Sequence, residues 1–120
     1  MKILHIEDDM NSARLVEMYV TSTHHEIVTV YNVHEAISVM ESDRPDLILL
    51  DLVLNGQRDG FSLVRDLRQQ GFDLPIIAVT ALSTRQDLRE CNDVGIDHVL
   101  VKPFTIKQLA QVIQTYNVTA

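Results

Sequence analysis

Residues 46–54 read Asp-Leu-Ile-Leu-Leu-Asp-Leu-Val-Leu, DLILLDLVL. The uninterrupted apolar run 47–50 has the length of a strand and shows no alternation, so both of its faces are expected to be covered. Asp51 then stands at the carboxyl end of a buried strand. An unpaired carboxylate in such a place is costly, so this one is expected to have a partner or a task.

Working outward, residues 3–6, 76–79 and 99–101 are runs of the same character, and 27–30 is β-branched enough to make a fifth strand. Helical spacing fills the gaps. Val33, Ala36, Ile37 and Met40 share a face, as do Leu63, Val64 and Leu67, and again Ile106, Leu109, Ala110 and Ile113; residues 13–20 also read as helix. Ser83 with Gln86 and Thr105 with Gln108 fit capping boxes, and Asn32 with Glu35 is a looser version. Gly71 and Gly95 are placed to end helices. Alternating strands and helices, with strands apolar on both faces, give an α/β doubly wound domain with a parallel sheet and helices on both sides. Residues 1–120 are expected to be one domain, without repeats, linker or low-complexity stretch.

The composition narrows the function. The chain has 120 residues, 46% hydrophobic and 22% charged, within the ordinary range for a soluble domain. Its formal net charge is −7, and no run of Lys or Arg is visible, which argues against direct nucleic-acid binding. No apolar run reaches membrane-spanning length and the start has no signal-peptide pattern, so the expected compartment is the cytoplasm, with no membrane partner. The single cysteine, Cys91, precludes an internal disulfide and a cysteine-based metal site, and reads as a small apolar filler. Met10, Met18 and Met40 are expected in the core or at its rim. His24-His25 reads as incidental, in a polar turn.

The polar residues that follow the runs carry the chemistry. The first run ends in Glu7-Asp8-Asp9, the third at Asp51, the fourth in Thr80-Ala81 and the fifth at Lys102-Pro103. Ligands of open parallel sheets bind outside the carboxyl ends of the strands, and all four groups belong to that edge. If the first and third strands are neighbours, Asp8 and Asp51 start roughly 5 Å apart, and Lys102 starts roughly 10 Å from Asp51. Two carboxylates about 4 Å apart repel by roughly 4 kcal/mol at an effective dielectric of 20. One lysine cannot offset three such charges, so a proton or a cation must help. Hard oxygen donors with no His or Cys nearby favour Mg²⁺ over zinc. An ionised, partly exposed Asp51 beside a metal and Lys102 can act as a nucleophile toward phosphorus. Thr80 and backbone N–H groups could hydrogen-bond the phosphoryl oxygens.

The ordered set Glu7-Asp8, Asp51, Thr80-Ala81 and Lys102-Pro103-Phe104 resembles the receiver domain of two-component response regulators, over about residues 2–117. The resemblance implies a flavodoxin-like fold with strand order 2-1-3-4-5. It implies that Asp51 accepts a phosphoryl group from a phosphohistidine on a histidine kinase or phosphotransfer protein. It further implies that Mg²⁺ (or Mn²⁺) is bound by Asp8 and Asp51, with Glu7 acting through water and the Val53 carbonyl as a further ligand. Thr80 would turn toward the phosphoryl group, Lys102 would pair with it, and the Lys102-Pro103 bond would be cis. Thr80, Val99, Pro103 and Phe104 would belong to the switching surface. Such a domain is a phosphorylated signalling module rather than an enzyme with a separate substrate, and acts on a downstream protein target or a tethered output domain; no output domain is expected within these 120 residues.

The sequence departs from that pattern in three places. Val99 stands three residues before the lysine, where the family commonly carries Tyr or Phe, and neighbouring His98 reads as a surface residue. The loop after Asp51 has Asn55 where a proline is usual, and Asp59-Gly60 comes one residue late; Asn55-Gly56 is itself a turn signal. In that family the positions two after the phosphorylated aspartate and two after the threonine tune access of the hydrolytic water; here they are Val53 and Leu82, neither able to orient one, so the resemblance implies a slowly hydrolysing phosphate. On the first helix, Leu15 and Val16, with Phe104, are candidates for kinase docking.

Rival readings fare less well. A flavin carrier needs a first loop that cradles phosphate, and Glu-Asp-Asp would repel one. An aspartate-based phosphatase wants a second acid two residues after its nucleophile, where Val53 stands. A docking module of this shape that is never phosphorylated is the remaining alternative; the full acidic set argues against it.

Overall fold

The structure, a computed structural model, describes residues 1–117. Its elements alternate throughout: β1 (Lys2–Ile6), α1 (Met10–Thr21), β2 (Glu26–Val30), α2 (Val33–Ser42), β3 (Leu47–Leu50), α3 (Asp59–Gln69), β4 (Ile76–Thr80), α4 (Arg85–Val94), β5 (His98–Val101) and α5 (Ile106–Tyr116). The strands form one parallel sheet in the order β2-β1-β3-β4-β5. The expected class, strand runs and order are all present.

Burial explains why the central runs carry no alternation. Every residue of β3 and β4 is buried, because each strand has a neighbour on either side and helices on both faces. The outer strands β2 and β5 are only partly covered. On one face, Leu4, Ile6, Ile48, Leu50, Ile76 and Ala78 pack with residues of α2, α3 and α4. On the other, Ile3, Leu47, Leu49, Ile77, Val79 and Leu100 pack with α1 and α5. A side-chain period of two on each strand sorts consecutive residues between the two cores.

The caps refine the expectations. Thr105 and Gln108 make both bonds of a capping box, at 3.1 and 2.8 Å, and Asn32 caps α2 by accepting the Glu35 N–H at 2.8 Å. The cap of α4 is Thr84, not Ser83: its hydroxyl accepts the Asp87 N–H at 3.0 Å. That phase turns Cys91 and Val94 inward. Gly95 ends α4 in the left-handed conformation (φ 101°), and Gly71 (φ 90°) follows the last residues of α3. Cys91 and Met40 are buried as expected, whereas Met10 and Met18 are 55% and 68% exposed, off the Ala13–Val16–Val20 face that α1 buries. Val16 belongs to the core, which leaves Leu15 exposed and Phe104 half-buried among the kinase-docking candidates.

Candidate functional site

Glu7, Asp51 and Lys102 each leave their strand one residue beyond the last regular pair, and a continuing ladder bond fixes where. The Glu7 N–H donates to Val30 O at 3.0 Å, the Asp51 N–H to Ile6 O at 3.0 Å, and the Lys102 N–H to Thr80 O at 2.8 Å. The strand ends thus hold Glu7, Asp51 and Lys102 along one rim of the sheet.

Carboxylate oxygens of Glu7, Asp8 and Asp51 all lie within 4.8 Å of one another, the one such cluster able to hold a metal ion among the described residues. Lys102 reaches across β4 and β3. Its Nζ donates to Glu7 Oε1 at 2.6 Å and to Asp51 Oδ2 at 3.1 Å. The sequence expects the acidic residues and the lysine to share one pocket; the direct bond from Lys102 to Glu7 is what the structure adds. Asp51 Oδ1 accepts the Val53 N–H at 3.1 Å, and Asp8 Oδ2 accepts the Asn55 N–H at 2.7 Å. Asp9 stands outside the cluster: its carboxylate caps α1, accepting from Asn11 N–H and Ser12 Oγ.

Thr80 is buried at the end of β4, its hydroxyl oxygen accepting the Leu82 N–H at 3.3 Å. The hydroxyl proton is still available to a ligand. The Lys102-Pro103 bond is cis. Val53 and Leu82 are half-buried, as is Val99, and Leu82 and Val99 both pack against the core under α2, α3 and α4. His98 is exposed, its ring edge-on to Tyr116 at 6.2 Å.

The charges in this rim are mismatched. Burial pushes the Glu7 carboxyl up to about 7; the Lys102 hydrogen bond pulls it down, and the Asp51 charge pushes it up again. Burial opposes the Lys102 ammonium, but the Glu7 hydrogen bond and the Asp51 charge outweigh it and raise its pKa. The expectation that no histidine lies nearby needs correction. His5, two residues before Glu7, is fully buried, and neither ring nitrogen has a partner among the described residues. Burial and then the Lys102 charge lower its pKa to about 4. Its apolar neighbours in the run 3–6 hid it in the sequence.

Gly60 sits directly against the residues that follow β3. A Cβ there would lie 2.6 Å from Leu52 Cα and 2.8 Å from Asp51 O, so only glycine lets the first turn of α3 press against the end of β3. The Asn55-Gly56 signal is also realised. Both residues have positive φ, 52° and 76°, and Leu54 and Gln57 exchange backbone hydrogen bonds at 2.8 and 2.9 Å across them. That two-residue turn absorbs the extra residue before Asp59-Gly60. Arg58, just past it, reaches α4, a contact no sequence signal announced. No described helix is long and apolar enough to cross a membrane.

The donor set is all hard oxygen with one ammonium beside it, which suits a divalent cation such as Mg²⁺ rather than a soft metal. A model of the response regulator receiver domain matches residues 3–114. The transcriptional regulatory protein KdpE of Staphylococcus aureus is 35% identical over 108 residues, 90% of this chain and 46% of that protein. The chain therefore spans less than half the length of the curated relatives it matches. Among solved structures, a two-component response regulator from Clostridium difficile superposes with a TM-score of 0.90 at 27% identity, covering 97% of this chain and 94% of that one. The receiver domain of the sensor histidine kinase PA1611 from Pseudomonas aeruginosa, with a magnesium ion coordinated in its active site cleft, gives a TM-score of 0.84 at 31% identity, covering 96% and 95%. Five parallel strands in this order, an acid-lined rim with its lysine, and a family match over nearly the whole length lead to one conclusion: the chain belongs to the response regulator receiver domain family.

Proposed function

We propose that Asp51 is the phosphoryl acceptor of a signalling receiver, and that Glu7, Asp8 and Asp51, with the Val53 carbonyl, hold a Mg²⁺ or Mn²⁺ ion. The observation that carries this reading is the convergence of the three carboxylates within 4.8 Å, with Lys102 Nζ between Glu7 and Asp51. The donor is a phosphohistidine on a histidine kinase or phosphotransfer protein. An Asp51 carboxylate oxygen attacks phosphorus, forming an O–P bond as the P–N bond breaks. The electron pair stays with the imidazole nitrogen, which takes up a solvent proton. Lys102 offsets the charge on the phosphoryl oxygens, and the Thr80 hydroxyl donates to one of them. The cation, when bound, neutralises charge on the same group.

The chain catalyses only its own phosphorylation and the loss of that phosphate. Residues 1–120 act as a single receiver unit, and the phosphorylated state alters binding to a downstream protein or a tethered output domain through the surface around Thr80, Val99, Pro103 and Phe104. Intact-mass analysis after incubation with acetyl phosphate and Mg²⁺ tests this. The expected result is one phosphoryl group on the wild type and none on Asp51→Asn. An unlabelled wild type, or an equally labelled variant, would refute it and favour docking without phosphorylation.

A further inference from the structure

The loop between β3 and α3 forms a hydrogen-bonded arm. The paired hydrogen bonds of Leu54 and Gln57 close it, and the positive φ of both Asn55 and Gly56 gives the type I′ geometry that matches strand twist. One side of the arm is hooked to the acidic rim, where the Asn55 N–H donates to Asp8 Oδ2 at 2.7 Å. Its other end is Arg58. The guanidinium Nη2 donates to Asp87 Oδ1 at 3.2 Å and Glu90 Oε2 at 3.0 Å, both on α4. It also lies over the ring of the buried Phe61, 4.6 Å from its centre.

An ordinary exposed ion pair contributes little. Two features distinguish this one: the guanidinium is shared between two carboxylates, and it is stacked on a ring of the core. A continuous set of short contacts therefore runs from Asp8, through Asn55 and the turn, to Arg58 and α4. α4 buries Cys91 and Val94, and the Asp87 and Glu90 bonds to Arg58 add a tie within its first two turns.

We propose that Arg58 is a positioning residue that couples the acidic rim to α4. It holds the turn so that Asp8, and Val53 just before it, keep their places, and it passes a change at the rim to Asp87 and Glu90. This rests on the phosphoryl-acceptor reading above. It supplies a link that an aromatic side chain at Val99 does not provide in this chain. Because coupling is reciprocal, releasing α4 must weaken cation binding at the rim, and binding at the rim must be felt on α4.

Backbone-amide NMR during titration with Mg²⁺, and then with beryllofluoride as a phosphoryl mimic, tests both directions. In the wild type, the amides of residues 7–9 and 51–57 and those of α4 should respond together. In Arg58→Gln the rim amides should still respond, the α4 response should fall by about half or more, and Mg²⁺ should bind about threefold more weakly. Glu90→Gln should reproduce the α4 loss from the other end, and Arg58→Lys should restore part of it. A purely structural Arg58 would lower stability and leave the α4 response intact. An undiminished α4 response in folded Arg58→Gln and Glu90→Gln would overturn the coupling alone. Rim amides that ignore both probes in the wild type would overturn the phosphoryl-acceptor reading and the coupling with it.

Discussion

The two rims of the sheet solve the same problem in opposite ways. At the carboxyl ends of the strands, three carboxylates share one ammonium, and Glu7 is fully buried among them. At the amino ends, Arg68 of α3 is surrounded by acceptors. Its guanidinium donates to Gly95 O from Nε and Nη2, to Phe72 O and Leu74 O from Nη1, and to Asp97 Oδ2 from Nη2. Asp97 in turn accepts the Ile76 N–H at 2.8 Å, and the Tyr116 hydroxyl donates to Asp97 O at 3.2 Å. That network joins the ends of α3 and α5 to the starts of β4 and β5. The amino-end rim pairs its charge with many acceptors, whereas the carboxyl-end rim carries more negative charge than its one ammonium can offset.

Breaking the amino-end rim should have the largest effect. Arg68→Ala removes the guanidinium donor from three loop carbonyls and the ion pair from Asp97, which keeps only the Ile76 N–H, and should cost roughly 3 kcal/mol in urea denaturation. A loss well below about 1 kcal/mol would mean that water replaces the guanidinium freely. The next largest change lies at the other rim. Gly60→Ala puts a methyl group 2.6 Å from Leu52 Cα and should cost about 1–3 kcal/mol, with phosphoryl labelling slowed because α3 must retreat from Asp51. Unchanged stability and labelling rate would show that the close approach is not needed.

The titration of the acidic rim sharpens the contrast. Folded Glu7 keeps its proton to about pH 7, against an ordinary value of 4.5, so the folded state binds that proton more tightly. In Mg²⁺-free buffer its contribution to stability is lost as pH rises through that window. His5 runs the other way. Folding lowers its pKa from 6.5 to about 4, so its contribution is lost as pH falls from 6.5 toward 4. The two slopes oppose each other over the shared range. Urea midpoints measured across it should rise with pH in Glu7→Gln and fall with pH in His5→Phe; the same slope in both variants would remove the assignment. Smaller still is the effect on phosphate lifetime. Val53→Asn and Leu82→Glu should each speed loss of phosphate several-fold, by giving the attacking water a hydrogen-bond partner, on the order of 1 kcal/mol in the barrier. Loss within seconds from the unmodified protein would contradict the slow hydrolysis expected of two apolar residues there.

The fold was legible because its signals are local and repeated. Runs such as 47–50 and 76–79 are apolar on both faces, and the Thr105–Gln108 box marks its helix unaided. The rim was legible because polar residues at strand ends fall on one edge whatever the side chains do. What escaped depends on reach and on backbone atoms. The lysine's bond to Glu7 crosses two intervening strands. The Arg68 network is made mostly with carbonyl oxygens, whose directions leave no trace in residue identity. The cap of α4 was misplaced by one residue because Ser83 and Thr84 are both good caps, and tertiary packing of Cys91 and Val94 chose between them.

The central claim is that Glu7, Asp8 and Asp51 act together on one divalent cation. Calorimetric titration of the wild type and of Asp8→Asn with Mg²⁺ at neutral pH tests it most directly. The account predicts one saturable site in the wild type, weakened by at least about tenfold in the variant. Equal affinity in the two proteins, or no saturable binding in either, would contradict it.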